Sequence, residues 1–225
     1  MDPKQRAAEA AIAELKSGQV VGLGTGSTAD FFLRALSAAL REGKLRDVRG
    51  VPTSKQSERR ANELGIPLAG FDSVTRIDVT VDGADEVGPK LSLIKGLGGA
   101  LLREKVVAQN SEKLIIIADS TKVVPALGSK GALPVEVTTF GQEAQERFLK
   151  SLGATPRLRM DGPGKPFVTD NGNLIFDCTF GPINDPAALE LTLSRRAGIV
   201  ECGLFIGLAK LALIANGDHV ERLVA

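Results

Sequence analysis

Residues 79–87, VTVDGADEV, place three carboxylates directly after an apolar run that is typical of a buried strand. Asp82, Asp85 and Glu86 are separated only by Gly83 and Ala84. Clustered carboxylates can transfer protons or orient the hydroxyl groups of a bound ligand. The simpler interpretation is a turn, since Asp and Gly both favour turns, with Glu86 exposed to solvent. The motif alone leaves both interpretations open.

Residues 22–28, GLGTGST, form a second polar strand end, and the helix that follows begins near Ser27. Unpaired amides at a helix start, together with the helix dipole, attract anions. The loop differs from the dinucleotide fingerprint, which needs glycine where Ser27 stands, and from the Walker loop, which needs a lysine. It could be only a capped strand–helix turn. We favour a phosphate or sugar-phosphate pocket, because open α/β sheets bind ligands at the carboxyl ends of their strands.

Two further segments carry charged candidates. The stretch KGLGGALLREK, residues 95–105, is a glycine-rich turn that enters a helix, with Lys95 before the turn and Glu104 inside the helix. Glu104 lies between Arg103 and Lys105, so an exposed helix face is the simpler interpretation. Residues 117–124, IADSTKVV, end another strand beside Lys122, which could place a cation next to a phosphate, as could Lys4.

The elements that must position these residues alternate along the first half of the chain. A helix capped by Asp2, with Pro3 in its first turn, is predicted to end at Gly18. Strands are then predicted at QVVGLG, VRGVPTS, RIDVTVDG and KLIIIADS, with helices between them. Such alternation predicts a mainly parallel sheet with right-handed crossovers and helices on both faces.

The pattern changes near residue 128. Strand, helix, two or three strands, an Asn171–Gly172 hairpin turn and a further helix are typical of a small α+β domain of the ferredoxin-like kind. The sequence therefore predicts an α/β protein with a Rossmann-like domain, residues 1–127 and 205–225, and a smaller α+β domain, residues 128–204. The last segment, LFIGLAKLALIAN and the tail, is predicted to return to the first sheet.

Composition excludes several classes of function. The 225 residues are 43% hydrophobic and 24% charged, and 28 Lys and Arg against 27 Asp and Glu give a net charge of +1. We therefore expect no nucleic-acid partner. Cys178 and Cys202 lack the spacing of a zinc site or a disulfide framework. Without a signal peptide or a membrane-length apolar segment, a cytoplasmic protein with no membrane contact is expected. His219, the single histidine, is predicted to be a surface residue.

The motifs GTGST, DGADE, KGLG and REK together resemble those of the type A ribose-5-phosphate isomerases, and the resemblance covers nearly the whole chain. It implies a Rossmann-like domain with a smaller α+β domain. It also implies a cytoplasmic homodimer, or a dimer of dimers. Such a protein interconverts D-ribose 5-phosphate and D-ribulose 5-phosphate in the pentose phosphate pathway without a metal or an organic cofactor.

The resemblance also implies the site residues. Substrate contacts would come from three loops and two lysines: Thr25, Gly26, Ser27, Thr28; Asp82, Gly83, Ala84, Asp85; Lys95, Gly96, Leu97, Gly98; Lys122 and Lys4. Glu104 matches the catalytic base. One departure is Leu97, where the family often has a third glycine, so a contact by residue 97 and the conformation of that loop are in question.

The chemistry of these residues suits an aldose–ketose isomerisation. Glu104 could move one proton between neighbouring carbons through an enediolate, while Lys95 and the glycine-loop amides stabilise the enediolate oxygen. Asp82 and Asp85 are candidates for ring opening and hydroxyl orientation, with Asp82 preferred for proton transfer. The hydroxyl groups of the substrate would satisfy these carboxylates, and Glu86 is expected to point away into a structural interaction.

Two alternatives remain open. An amino-sugar-phosphate isomerase/deaminase on a related fold would be expected to use a histidine in its cleft, and this chain has only His219. A non-catalytic sugar-phosphate sensor would be expected to carry a nucleic-acid-binding segment, which the sequence does not indicate. A ketose-forming assay on ribose 5-phosphate separates the three functions.

Overall fold

The computed structural model describes residues 2–225. Its helices are α1 Pro3–Ile12, α2 Ser27–Arg41, α3 Lys55–Glu63, α4 Leu101–Gln109, α5 Gln142–Ser151 and α6 Pro186–Ser194. Its strands are β1 Val20–Leu23, β2 Arg49–Pro52, β3 Ile77–Gly83, β4 Glu86–Val87, β5 Leu93–Ile94, β6 Ser111–Asp119, β7 Leu133–Val137, β8 Thr155–Leu158, β9 Leu174–Thr179, β10 Ile199–Cys202, β11 Leu204–Phe205, β12 Ala209–Asn216 and β13 His219–Val224. Short 3₁₀ helices cover Pro89–Leu91 and Ser120–Lys122.

These elements form two compact units. The first unit contains residues 1–84, 103–123 and 207–225, and the second contains residues 85–102 and 124–206. The division predicted from the sequence assigns residues 85–102 to the Rossmann-like domain, whereas they pack with the second unit. Within residues 2–225, no helix is both long enough and apolar enough to cross a lipid bilayer.

The first unit is built on a six-stranded sheet in the order β13-β12-β6-β3-β1-β2. Within this sheet the five strands β2, β1, β3, β6 and β12 pair in parallel. Strand β13 alone is antiparallel, and it pairs with β12. Strand β12 pairs with β6, so the chain from Ala209 returns to the first sheet as the sequence predicted, whereas Leu204–Phe205 pair with β5. The predicted α/β fold is confirmed.

Both faces of this sheet are covered by helices. Val21, Val81 and Ile115 pack with apolar residues of α1 and α2 on one face, and Val20 and Val51 pack with Val107 of α4 on the other. Because both faces are buried, the central strands have nearly continuous apolar sequences, such as LIIIA in β6. This arrangement brings the carboxyl ends of β1, β3 and β6 to the same edge of the sheet.

Helix α1 begins where the sequence indicates and ends earlier. The Asp2 carboxylate accepts a hydrogen bond from the Lys4 amide at 2.8 Å, and Pro3 lies in the first turn. The helix stops at Ile12 rather than at Gly18. Gly18 instead adopts φ +82° in the connection to β1, where its amide donates to the Arg46 carbonyl. A glycine marks a left-handed residue, which need not be the residue that ends a helix.

The second unit contains a four-stranded antiparallel sheet in the order β10-β7-β9-β8. Its elements follow the sequence β7-α5-β8-β9-α6-β10, which is the ferredoxin-like arrangement predicted from the sequence. Apolar residues of α5 and α6 pack against one face of this sheet. The predicted Asn171–Gly172 turn is present between β8 and β9, with Gly172 at φ +83°. A short sheet, β11-β5-β4, completes the unit.

Candidate active site

The first loop, residues 24–28, connects β1 to α2 at the carboxyl edge of the parallel sheet. Gly26 precedes the helix at φ +102°, and no side chain caps the start of α2. Gly24 has no room for a side chain, because a Cβ there would lie 2.6 Å from the Asp82 Cα atom and 2.2 Å from its Oδ1 atom. The loop therefore runs directly against the end of β3.

Asp82 fixes the first loop through the backbone. Its side chain is 1% exposed, and Oδ1 accepts hydrogen bonds from the Thr25 amide at 3.0 Å and the Gly83 amide at 2.7 Å. These bonds stabilise a carboxylate that is shielded from water. The Thr25 hydroxyl is turned elsewhere, within 2.7 Å of the Thr53 hydroxyl and 2.8 Å of the Ser54 hydroxyl. That side chain supports the loop through the start of α3.

Positive charge collects beside the start of α2. The Lys4 ammonium donates a hydrogen bond to the Ser27 hydroxyl at 3.1 Å. Lys122 lies in the 3₁₀ helix that follows β6, next to Asp119. Burial alone would raise the pKa of Asp119, but hydrogen bonds from the Thr121 side chain and amide, with the charges of Lys122 and Lys4, lower it below its ordinary value. Two lysines and an uncapped 15-residue helix make this edge suitable for a dianionic phosphate.

Glu104 lies on α4 and is 5% exposed. Val107, one turn later on the same helix face, contacts the sheet: a Cβ on Gly22 would lie 2.8 Å from Val107 Cγ1 and 1.9 Å from the Thr80 hydroxyl. Helix α4 leads into β6 and so runs opposite to the parallel strands, which puts Glu104 nearer their carboxyl ends than Val107. Asp82 follows Thr80 on the same face of β3. Glu104 and Asp82 therefore approach the same edge of the sheet from its α4 side.

The third loop, residues 95–98, belongs to the second unit. The Lys95 side chain is 2% exposed, its ammonium lies 5.5 Å from the centroid of the Phe205 ring, and its amide donates to the Gly203 carbonyl. Asp85 accepts a hydrogen bond from the Leu97 amide at 2.9 Å through Oδ2, and its own amide donates to the Ile94 carbonyl. Asp85 thus holds the third loop much as Asp82 holds the first.

Leu97 does not require the conformational freedom of glycine. The left-handed positions of the loop are Gly96, at φ +99°, and Gly99, at φ +82°, whereas Leu97 has no positive φ. Its side chain is 48% exposed, and its amide makes the bond to Asp85. The departure from the family pattern therefore leaves this backbone contact available.

Glu86 makes the structural interaction that the sequence predicted. Its carboxylate accepts three backbone hydrogen bonds inside the second unit, from the amides of Gly128 at 2.6 Å, Lys130 at 2.8 Å and Gly131 at 2.9 Å. The three carboxylates of the 82–86 turn are thus each bound by amides of a different chain segment. Like charges that are close in sequence are stabilised separately, before any substrate arrives.

His219 is exposed, as predicted, at the start of β13, the edge strand of the parallel sheet. Residues that sequence reasoning missed include Thr53, Ser54 and Arg159. The hydroxyls of Thr53 and Ser54 hold Thr25, and the Arg159 side chain contacts the third loop. These partners are distant in sequence, so no local pattern indicated them.

The fold and these loops define an α/β protein equipped to hold an anionic small molecule at the carboxyl ends of parallel strands, near buried carboxylates. Comparison with known proteins is consistent with that class. The profile of the family described as ribose 5-phosphate isomerase A (phosphoriboisomerase A) matches residues 49–219. The chain belongs to this family.

Relatives match along the whole chain. Ribose-5-phosphate isomerase A of Desulfatibacillum aliphaticivorans is 52% identical over 222 residues, which cover 99% of this chain and 96% of the relative. The protein of the same name from Chloroflexus aurantiacus is 53% identical over 220 residues, covering 98% of this chain and 92% of the relative. These spans include both units.

Solved structures of ribose-5-phosphate isomerases share the fold of this chain along its whole length. A D-ribose-5-phosphate isomerase in complex with phospho-erythronic acid superposes with a TM-score of 0.97 at 38% identity, covering 100% of this chain and 98% of that one. The ribose 5-phosphate isomerase of Plasmodium falciparum superposes with a TM-score of 0.95 at 40% identity, covering 99% of this chain and 98% of that one.

Proposed function

We propose that this protein interconverts D-ribose 5-phosphate and D-ribulose 5-phosphate in the non-oxidative branch of the pentose phosphate pathway. The observation that carries the proposal is the 52% identity to a ribose-5-phosphate isomerase A over 99% of this chain. The anion-binding edge and the buried carboxylates of the first unit support the same reaction.

The phosphate group is assigned to the start of α2. Lys4 and Lys122 supply positive charge, Ser27 and Thr28 supply hydroxyls, and the amides of the first turn of α2 complete the set of donors. Because Lys4 already donates to Ser27, both groups are preorganised beside the helix start. Binding the phosphate here would place the sugar near Asp82 and the face of α4 that carries Glu104.

Glu104 is assigned as the base. It removes the proton from the carbon beside the carbonyl of the open-chain sugar and returns it to the neighbouring carbon, through an enediolate. Its low exposure keeps out water, which would otherwise exchange with the proton during transfer. One carboxylate is enough for the shuttle, because the two carbons are adjacent and exchange the same proton.

Asp82 and Asp85 are assigned to ring opening and hydroxyl orientation, with Asp82 preferred for proton transfer. Both also hold loop amides, so their carboxylates have fixed positions before the sugar binds. Lys95 and the amides of the third loop are assigned to the negative charge that develops on the enediolate oxygen. Chelator-resistant turnover would support catalysis by these side chains without a metal.

Replacing Glu104 by Gln tests the base directly. We expect kcat to fall by about 10²–10⁴-fold, because the amide cannot accept the carbon-bound proton, while sugar-phosphate binding persists. A coupled ketose-formation assay with chelator measures turnover, and calorimetric titration with a non-reacting sugar acid phosphate measures binding. Exposed Glu9, changed to Gln, is the matched control. Wild-type turnover in E104Q would remove Glu104 from this role.

The same assay separates the alternatives. A sugar-phosphate sensor would bind ribose 5-phosphate without forming ketose, and an amino-sugar-phosphate isomerase/deaminase would release ammonia from an amino-sugar phosphate. We further propose a cytoplasmic homodimer or dimer of dimers, which light scattering after size exclusion would measure. A plant relative at 47% identity is named as chloroplastic, so compartment has to be determined for each member.

A further inference from the structure

Arg159 binds the third loop from within the second unit. It follows β8, and its side chain is 13% exposed. One guanidinium nitrogen, Nη1, donates to the carbonyl oxygens of Gly96 at 3.2 Å and Leu97 at 3.0 Å. The other side of the guanidinium forms a two-bond ion pair with Asp177 on β9. A single side chain thus joins the loop to the four-stranded sheet.

The aromatic ring of Phe167 completes this support. The Arg159 guanidinium lies 5.7 Å from the centroid of the Phe167 ring. A Cβ on Gly99 would lie 2.4 Å from Phe167 Cζ, so the ring packs directly on the glycine backbone at the end of the turn. The Gly99 amide in turn donates to the Gly96 carbonyl. Arg159 is therefore held in a defined position while it binds the loop.

Binding two consecutive carbonyls determines where the loop amides point. In a planar trans peptide, the C=O and the N–H that share one plane point in opposite directions. The Leu97 carbonyl and the Gly98 amide share one plane, and the Gly96 carbonyl and the Leu97 amide share the preceding plane. Since both carbonyls face Arg159, both amides face away from it. The Leu97 amide donates to Asp85, which agrees with this geometry.

We propose that Arg159 is a positioning residue for the isomerisation: it fixes the two peptide planes of the third loop so that the Gly98 amide is presented to the oxygen of the substrate that becomes negative. This inference rests on the proposed function, in which the third loop stabilises the enediolate. Asp177 and Phe167 hold Arg159 in position, so their effect on the reaction passes through Arg159 and the third loop.

Three substitutions test the inference. Arg159→Met keeps the length of the stem and removes all donors. Arg159→Lys keeps the charge next to Asp177, but a single ammonium cannot reproduce the planar fork. Arg157→Met is the matched control, since Arg157 is an exposed arginine two residues earlier, on β8. If R159M folds poorly, R159K supplies the same comparison.

We expect kcat to fall about 10–100-fold in R159M and R159K, because a displaced donor loses most of its effect on the transition state. KM is expected to change less than threefold, because the phosphate is bound elsewhere. R157M should behave as wild type. Added guanidinium ion should restore part of the kcat of R159M at an unchanged melting temperature, which a general loss of stability would not do.

Hydrogen exchange in residues 93–100 provides a readout that does not depend on turnover. Faster exchange there in R159M and R159K, with R157M unchanged, is expected. Unchanged exchange, or wild-type kcat in R159M, would overturn the role of Arg159. A wild-type protein that forms no ketose from ribose 5-phosphate would overturn the proposed function, and with it this role, whatever the exchange rates of the variants.

Discussion

The first and third loops are both glycine-rich, and each is held by an aspartate that accepts a hydrogen bond from a loop amide. Asp82 binds the Thr25 amide and Asp85 binds the Leu97 amide. Their other supports differ. The first loop lies between two paired strands and a long helix, whereas the third loop depends on Arg159 and Phe167, more than sixty residues away. One loop is positioned by the sheet, and the other by remote side chains.

This difference shows how a short acidic turn can organise a site. Asp82, Asp85 and Glu86 each bind amides of a different segment: the first loop, the third loop and residues 128–131. The turn thus has a structural role at each carboxylate in addition to any contact with substrate. The idea that substrate hydroxyls alone satisfy the carboxylates is therefore incomplete.

Among the substitutions that alter the support of the two loops, the largest effect is expected from Gly24→Ala, which breaks the sheet-based support of the first loop. The new methyl group would meet the backbone and carboxylate of Asp82, so the loop has to move away from β3. We expect kcat/KM to fall by about 10²-fold and the free energy of unfolding to fall by about 1–3 kcal/mol. Steady-state kinetics and urea unfolding measure both quantities.

Gly83→Ala is the matched stability control, since the nearest atom to its Cβ would be 3.9 Å away. It should unfold at nearly the wild-type urea concentration. Equal destabilisation by G24A and G83A would show that the contact between the first loop and Asp82 is not what supports the loop.

Glu86→Ala isolates the third carboxylate of the turn. Three amides would lose their acceptor in a buried region, so we expect the free energy of unfolding to fall by about 3 kcal/mol. The folded fraction should retain kcat within a few-fold, because Glu86 binds residues 128–131 rather than the first or the third loop. Exposed Glu143, changed to Ala, is the control. A large loss of kcat without loss of stability would instead place Glu86 among the catalytic groups.

Asp119→Asn tests the charge balance beside the first loop. The pKa of Asp119 is lower in the folded protein than its ordinary value of 3.8, so its stabilising contribution is complete above that value and is lost as the pH falls below it. Wild type should therefore be modestly more stable than the variant at pH 7, and the two should converge on acidification. Urea unfolding between pH 7 and pH 2.5 measures the difference. If the difference in the free energy of unfolding between wild type and D119N grew as the pH fell, the result would contradict this interpretation.

Leu97→Gly should have the smallest effect. Residue 97 has an ordinary backbone conformation, so glycine adds only freedom to the unfolded chain and costs about 0.5–1 kcal/mol. Turnover should remain within threefold, since the amide that binds Asp85 is retained. Gly96→Ala should lower turnover and stability much more. Residue 96 has φ +99°, and its new Cβ would lie 2.7 Å from the Leu101 Cβ. Equal effects of L97G and G96A would show that the whole loop is conformationally adaptable.

The sequence predicted those parts of the fold that depend on local patterns. Apolar strands alternating with amphipathic helices indicated the parallel sheet, and the order of elements after residue 128 indicated the ferredoxin-like sheet. The assignment of residues 85–102 depended on pairing that the sequence does not show: β4 and β5 have two residues each, and β5 pairs with Leu204–Phe205.

The candidate site was predictable as a set of residue types at strand ends, because a glycine-rich turn before a helix is a local signal. The partners of those residues were not predictable. That the Thr25 hydroxyl faces Thr53 and Ser54, and that Arg159 reaches two carbonyls of the third loop, depends on tertiary packing. The catalytic and binding roles of these residues stay predictions until the variants above are measured.

The order of strands in the parallel sheet has a consequence for how the protein folds during its synthesis. Strand β6 lies at the centre of the first unit, yet its neighbour β12 leaves the ribosome only after residues 120–208 have been synthesised. During synthesis β6 has an unpaired edge while the whole of residues 124–206 emerges and can fold as a unit. Chaperones that shield exposed strand edges should therefore bind nascent chains of this protein most strongly just before β12 appears.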